Sequence, residues 1–220
     1  MATTETDGVG PVTEQPHGWA TGPDRSVLNG ANAITAVRTL AAVAFGLAAT
    51  TAESTDSALL LLVVSLAVYW AGDVLDGAWA RWFDVETRFG GVLDVVCDRV
   101  CALVFYLGVV WHLPGLAVPV GVYLLEFAVV DMVLSLAFVS WPLISPNYFY
   151  LVDRTMWRWN WSKPAKAVNS AFFAVLLLVT QSVWLCTTIA VALLALKVAS
   201  LVRLVRLGVP VPPRAPTPPA

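Results

Sequence analysis

Charge is scarce in this chain: only 13% of its 220 residues are Asp, Glu, Lys or Arg, while 58% are hydrophobic, ten are Trp, and the mean hydropathy is +0.74. An ordinary soluble domain carries about twice that share of charge, so the composition excludes one and points to an integral membrane protein. No nucleic-acid partner is expected. Cysteine is also rare, and Cys97, Cys101 and Cys186 lie in apolar runs with neither a paired nor a zinc-type spacing, which reads as small core residues. The two histidines, His17 and His112, have no neighbours that would argue for catalysis, and His112 is expected at the outer surface. Residues 1–30 lack an apolar core, so they read as a polar tail or juxtamembrane segment, not a signal peptide. The closing run VPVPPRAPTPPA is too rich in proline for a helix, and 208–220 is expected to be a disordered tail.

What is present in quantity is long apolar runs. Spanning a bilayer takes about 20 residues at 1.5 Å each, and such runs occur near 33–52, 57–80, 90–111, 116–140, 168–184 and 185–207. The last two form one continuous stretch that is split near residues 181–184. The expected fold is all-α and polytopic, with six transmembrane helices in a unit over 31–207. The net charge of −2 says little; the placement of each sign says more. Arg25 and Arg38 sit at the start of the first helix, Arg81, Arg88 and Arg99 around the second connection, Arg154, Arg158, Lys163 and Lys166 in the fourth, and Lys197, Arg203, Arg206 and Arg214 at the end. The other three loops hold no cation. By the positive-inside rule both termini are expected in the cytosol.

Against this background the stretch from Gly72 to Val100 carries Asp73, Asp76, Asp94 and Asp98. A buried carboxylate costs several kcal/mol unless it is paired or coordinated. Asp73, Asp76, Gly77 and Ala80 stand at i, i+3, i+4 and i+7, on one helical face; Gly90, Asp94 and Asp98 stand at i, i+4 and i+8, again on one face. The two helices are consecutive and antiparallel, so the faces can meet. Four carboxylates at one point suit one or two hard divalent cations, Mg²⁺ or Mn²⁺, and such sites do phosphoryl chemistry. Asp73 lies about 12 Å along the helix from Arg81, which places the cluster at headgroup depth toward the cytosol.

Written out, Asp73-x2-Asp76-Gly77-x2-Ala80-Arg81-x8-Gly90-x3-Asp94-x3-Asp98 resembles the signature of the class I CDP-alcohol phosphatidyltransferases at each of its fixed positions. The resemblance implies a membrane enzyme of phospholipid synthesis that transfers a phosphatidyl group from a CDP-lipid to an alcohol and releases CMP. It implies that Asp73, Asp76 and Asp94 hold metal, and that Asp98 both ligates metal and takes the proton of the attacking hydroxyl. Gly77, Ala80, Arg81 and Gly90 would form the nucleotide pocket. It implies a homodimer as well, in the plasma membrane with the site facing the cytosol.

Other signals are less specific. Asn32, Thr35 and Arg38 are similar to an Asn-x-x-Thr-x-x-Arg pattern of the family, which would bring Thr35 to the nucleotide; the plain alternative is a helix cap and an interfacial arginine. Lys163 and Lys166 resemble a lysine pair of members that use phosphorylated acceptors, with Arg154 and Arg158 nearby, which implies glycerol 3-phosphate or inositol phosphate as acceptor. The same residues also satisfy a membrane-interface reading. No cation occurs between Cys101 and Asp153, a departure that leaves a cardiolipin-type synthase using phosphatidylglycerol open. Glu126 and Asp131, five residues apart, are expected on different faces, in helix packing or dimer contacts. Outside this family, four membrane acids would fit ion pairs with Arg81, Arg88 and Arg99, or a cation-coupled transporter.

Overall fold

The computed structural model describes residues 17–20 and 26–210. Its frame is six helical segments: α1 Gly30–Thr50, α2 Thr55–Trp82, α3 Arg88–His112, α4 Pro114–Ser140, α5 Arg154–Thr180 and α6 Val183–Leu207. Each start has a local cause. Side-chain oxygens of Asn29, Ser54, Thr87, Asp153 and Ser182 accept from the free amides of α1, α2, α3, α5 and α6, and Pro114 opens α4 where no amide is needed. The long apolar stretch breaks where Gln181 turns left-handed at φ 47° and Ser182 caps the next helix. That is within the window expected from the sequence.

α1, α2, α4, α5 and α6 are long and apolar enough to cross a membrane, which makes this an integral membrane protein. α3 has 25 residues, about 37 Å of helix, and carries Asp94, Asp98 and Arg99.

Two apolar cores hold the helices. The larger draws Leu62, Tyr69, Phe105, Tyr106, Tyr123, Phe127, Phe173 and Leu177 together, with Tyr123 stacked on Phe173 at 4.1 Å between ring centres. Cys97, Cys101 and Cys186 are buried and unpaired, as expected. Glycines let the helices approach: a Cβ on Gly108 would meet Leu62 Cδ2 at 2.6 Å. His112 Nε2 lies 2.8 Å from the Ala49 carbonyl and ties α3 to the end of α1.

The smaller core, around Leu134, Phe138, Leu143, Phe149, Met156, Trp161 and Leu204, sits under the α4–α5 connection. Residues 17–20 join it. Trp19 forms an antiparallel bridge with Leu143, Ala20 N donates to Pro142 O at 2.7 Å, and Ile144 N donates to Gly18 O at 3.0 Å. The expected tails at 1–30 and 208–220 otherwise fall largely outside the described residues.

One expectation needs correcting. In an α-helix Glu126 and Asp131 would point about 140° apart. Residues Leu125–Val130 instead form a π turn in which Asp131 N donates to Glu126 O, so five residues complete a turn and both acids face inward; Glu126 is fully buried and Asp131 is 6% exposed. A second π turn, Ala167–Phe172, lies in α5, and Tyr123 Oη donates across to Asn169 O at 3.0 Å.

Candidate active site

The α2–α3 connection is five residues long, with Asp84 in the left-handed region at φ 51°, so the two acid-bearing faces meet directly. One carboxylate oxygen from each of Asp73, Asp76 and Asp94 lies within 4.8 Å of the others. Asp98 joins them through Arg38, which the sequence leaves open between an Asn-x-x-Thr-x-x-Arg pattern and an interfacial arginine. The Arg38 guanidinium of α1, only 3% exposed, donates from Nε to Asp76 Oδ2 at 2.8 Å. Its Nη2 donates to Asp94 Oδ1 at 2.6 Å and Asp98 Oδ1 at 3.0 Å, and lies 3.7 Å from Asp73 Oδ1.

The surroundings hold that guanidinium in place. Gly72 leaves room for its stem, since a Cβ there would come within 2.5 Å of Arg38 Cδ, and the Tyr69 ring lies 5.4 Å from the guanidinium carbon. Thr35 donates its hydroxyl to Asp76 Oδ2 at 2.7 Å. So the first helix supplies both a counter-charge and a hydroxyl to the acids of the second and third.

Two recesses open on the cluster. A groove of about 70 Å³ is lined by Asn32, Thr35, Asp76, Gly77, Ala80, Arg81, Gly90 and Asp94, with Glu86, Ile144 and Asn147 at its rim. All five residues expected to contact the nucleotide, Gly77, Ala80, Arg81, Gly90 and Thr35, are here. A Cβ on Gly77 would meet Arg81 Nη1 at 3.2 Å, and one on Gly90 would meet Asn32 Oδ1 at 2.7 Å, so both glycines leave space for close approach. On the rim, Tyr148 donates to Glu86 at 2.6 Å; burial and that carboxylate push its phenol up.

The second recess, a cavity of about 340 Å³, is lined on one side by Asp73, Asp94 and Asp98. Groove and cavity share Gly91, Asp94, Ser145 and Asn147, so they meet at the carboxylates. The far wall carries Arg99, Asp131, Asn160, Lys166 and Lys197. Arg99 donates to Asp131 and, at 3.2 Å, to Ser135; Lys197 donates to Asp131 Oδ1 at 2.6 Å and Asn160 Oδ1 at 3.0 Å.

That wall changes two sequence expectations. Lys197 reads as an end-of-chain topology charge, yet it is 1% exposed and paired 66 residues away, inside the bundle. The four cations expected near an acceptor are all exposed; Lys166 lines the cavity, whereas Lys163, Arg154 and Arg158 are not among its lining residues. Among the described residues the cluster pairs with Arg38; Arg88 donates to the Val139 carbonyl at 2.7 Å and Arg99 to Asp131.

Chemically, the donor set is all carboxylate, the choice of hard cations, and a buried guanidinium already lies among the acids, so the site accepts positive charge. The residues present fit a divalent metal. A groove with glycines and an arginine on one side, and a polar cavity on the other, gives two substrates access to one point.

Comparison with known proteins agrees with this geometry. The profile of the family described as CDP-alcohol phosphatidyltransferase matches residues 28–203. Over 70 residues the chain is 41% identical to a phosphatidylinositol phosphate synthase of Mycobacteroides abscessus, a match that covers 28% of this chain and 31% of that protein. No solved structure matches the chain.

Proposed function

Because the chain belongs to the CDP-alcohol phosphatidyltransferase family, an enzyme class, we propose that it transfers a phosphatidyl group from a CDP-lipid such as CDP-diacylglycerol to the hydroxyl of an alcohol bound in the larger cavity. The observation that carries this is the meeting of groove and cavity at Asp94, with Asp73, Asp76 and Asp98 alongside. Gly77, Ala80, Gly90, Thr35 and Arg81 receive the cytidine diphosphate in the groove, Arg81 pairing with a phosphate oxygen. The acyl chains lie in the surrounding bilayer.

Asp73, Asp76, Asp94 and Asp98 would hold two divalent ions, Mg²⁺ or Mn²⁺. When bound, such ions neutralise diphosphate charge and lower the barrier to phosphoryl transfer. Asp98, which faces the cavity, accepts the proton of the acceptor hydroxyl as its oxygen bonds to the lipid-side phosphorus. The bond from that phosphorus to the oxygen of CMP breaks, and CMP leaves through the groove.

For the acceptor, Lys166 together with Arg99 and Lys197 favours a phosphorylated polyol, inositol phosphate or glycerol 3-phosphate. The partial match to a phosphatidylinositol phosphate synthase supports the former. Asp131 supports a second reading, because it already pairs with both Arg99 and Lys197, leaving a cavity that also suits the neutral headgroup glycerol of phosphatidylglycerol. CMP release from CDP-diacylglycerol, measured with each acceptor in turn and with divalent ions removed, separates these readings. Turnover that survives complete chelation would overturn the metal site.

A homodimer in the plasma membrane, expected from the sequence resemblance, is part of the same proposal. With α3 as a sixth span, the cations at the α2–α3 and α4–α5 connections support a cytosol-facing site and cytosolic termini. Cysteine labelling should then reach positions 10, 160 and 215 from one side and positions 56 and 112 from the other.

A further inference from the structure

We infer that Arg38 is the resident counter-ion of the carboxylate cluster, a positioning residue that holds Asp76, Asp94 and Asp98 together in the absence of a divalent ion and competes with that ion for their charge. This rests on the metal-binding reading above and adds what the first helix contributes to it.

Three observations converge. Two nitrogens of one guanidinium reach three carboxylates at 2.6–3.0 Å, and the fourth lies at 3.7 Å. The remaining nitrogen, Nη1, is buried with no hydrogen-bond partner among the described residues, although an unsatisfied buried donor costs about 1–3 kcal/mol. The group therefore sits where the acids draw it, not where its own donors are best satisfied. Finally, Gly72, Tyr69 and Thr35 shape the place it occupies: the first clears its stem, the second offers a ring face, and the third bonds the same Asp76 oxygen as Nε.

Four carboxylates gathered in a membrane bundle repel one another strongly, and a monovalent guanidinium offsets only part of that. A divalent ion entering the cluster meets a like charge at hydrogen-bonding distance from its ligands. The ion must share the acids with Arg38 or displace it, and either costs affinity. Arg38 thus trades tight metal retention for a site that stays assembled when the metal is absent.

The test uses the full chain in lipid nanodiscs, with Mn²⁺ as probe. Free Mn²⁺ is counted by electron paramagnetic resonance, and melting is followed with and without the ion. R38Q should melt lower than wild type without metal, bind Mn²⁺ about tenfold more tightly and show a larger Mn²⁺-induced rise in melting temperature. R38K has one nitrogen and cannot bridge the acids as a fork does, so it should fall between the two. If R38Q does not fold, the comparison of R38K with wild type carries the test. A residue needed only for packing would lower both melting temperatures equally and leave Mn²⁺ affinity unchanged; that result, or weaker Mn²⁺ binding in R38K, overturns the inference alone. Absence of Mn²⁺ binding in every form overturns the metal-binding reading and this inference with it.

Discussion

Two groups of charge face each other across one cavity, and they are composed in opposite ways. On the α2–α3 side, four carboxylates share a single guanidinium; on the far wall, where α3, α4 and α6 meet, Arg99 and Lys197 share Asp131, and the buried Glu126 makes no ion pair among the described residues. Counted in direct ion pairs, the first group is short of positive charge and the second short of negative. A saturated ion pair has little left to offer a substrate, whereas an unbalanced group attracts whatever carries the missing sign. The acid-rich wall calls for cations and the cation-rich wall for an anion, and that charge pattern is what the proposed phosphorylated acceptor rests on.

The largest test of that contrast is on turnover. Asp94→Asn should lower CMP release by at least about a thousandfold, since it removes a carboxylate at the junction of both recesses. Folding should survive, because one fewer acid relieves repulsion in an overcharged group, and unchanged circular dichroism with lost turnover is the expected pair of results. On the opposite wall the same chemical change should act on stability. Asp131→Asn strands two buried cations and should cost about 3–5 kcal/mol, read as a lower unfolding midpoint in detergent. If the two substitutions behave alike, the contrast between the walls is wrong.

A smaller effect sharpens the anion side. Lys166→Ala should raise KM for a phosphorylated acceptor about tenfold with kcat nearly constant, while Lys163→Ala, away from the cavity lining, should change KM by less than about twofold. The smallest effect lies outside both groups. Burial raises the Asp153 carboxyl, but bonds from Arg203 at 2.9 Å and from Met156 N at 2.8 Å outweigh it and hold the group below its ordinary range. A depressed carboxyl stabilises the fold above the unfolded value, about 3.9, and loses that contribution as pH falls through the folded value. Asp153→Asn should therefore narrow the melting-temperature gap to wild type as pH is lowered from 5 toward 3.

Comparing the two walls also shows what the sequence discloses. The acid-rich wall was almost fully legible, because its residues lie within 26 positions on two consecutive helices and helical spacing alone places them on facing sides. Its arginine was not. Arg38 stands near a helix start, where an exposed cation is the ordinary expectation, and what buries it are Tyr69 and Gly72 on another helix. The second wall was hidden for a similar reason: Arg99, Asp131 and Lys197 lie on three helices, the last two 66 positions apart, and nothing local marks them as partners. A lysine in the last helix satisfies a topology rule equally well wherever it points. The break at Gln181 was legible because a run of twice the membrane thickness has to turn somewhere.

The π turn in α4 can be described as a change of phase. Tyr123 before it and Phe127 within it point into the aromatic core; after it, Asp131 meets Lys197. An uninterrupted α-helix drifts by about 40° over each four-residue step, so residues 123, 127 and 131 would fan out across its surface. The widened turn cancels that drift and keeps all three on one line. The two halves of the helix are thus geared to each other: winding 125–130 as a regular α-helix with every residue kept would swing everything beyond it by about 100°, taking Asp131 away from Lys197 and Arg99, whereas deleting one residue there would restore a regular helix and leave Asp131 on the same face. The polar wall of the cavity depends on that widened turn as much as on the charges it presents.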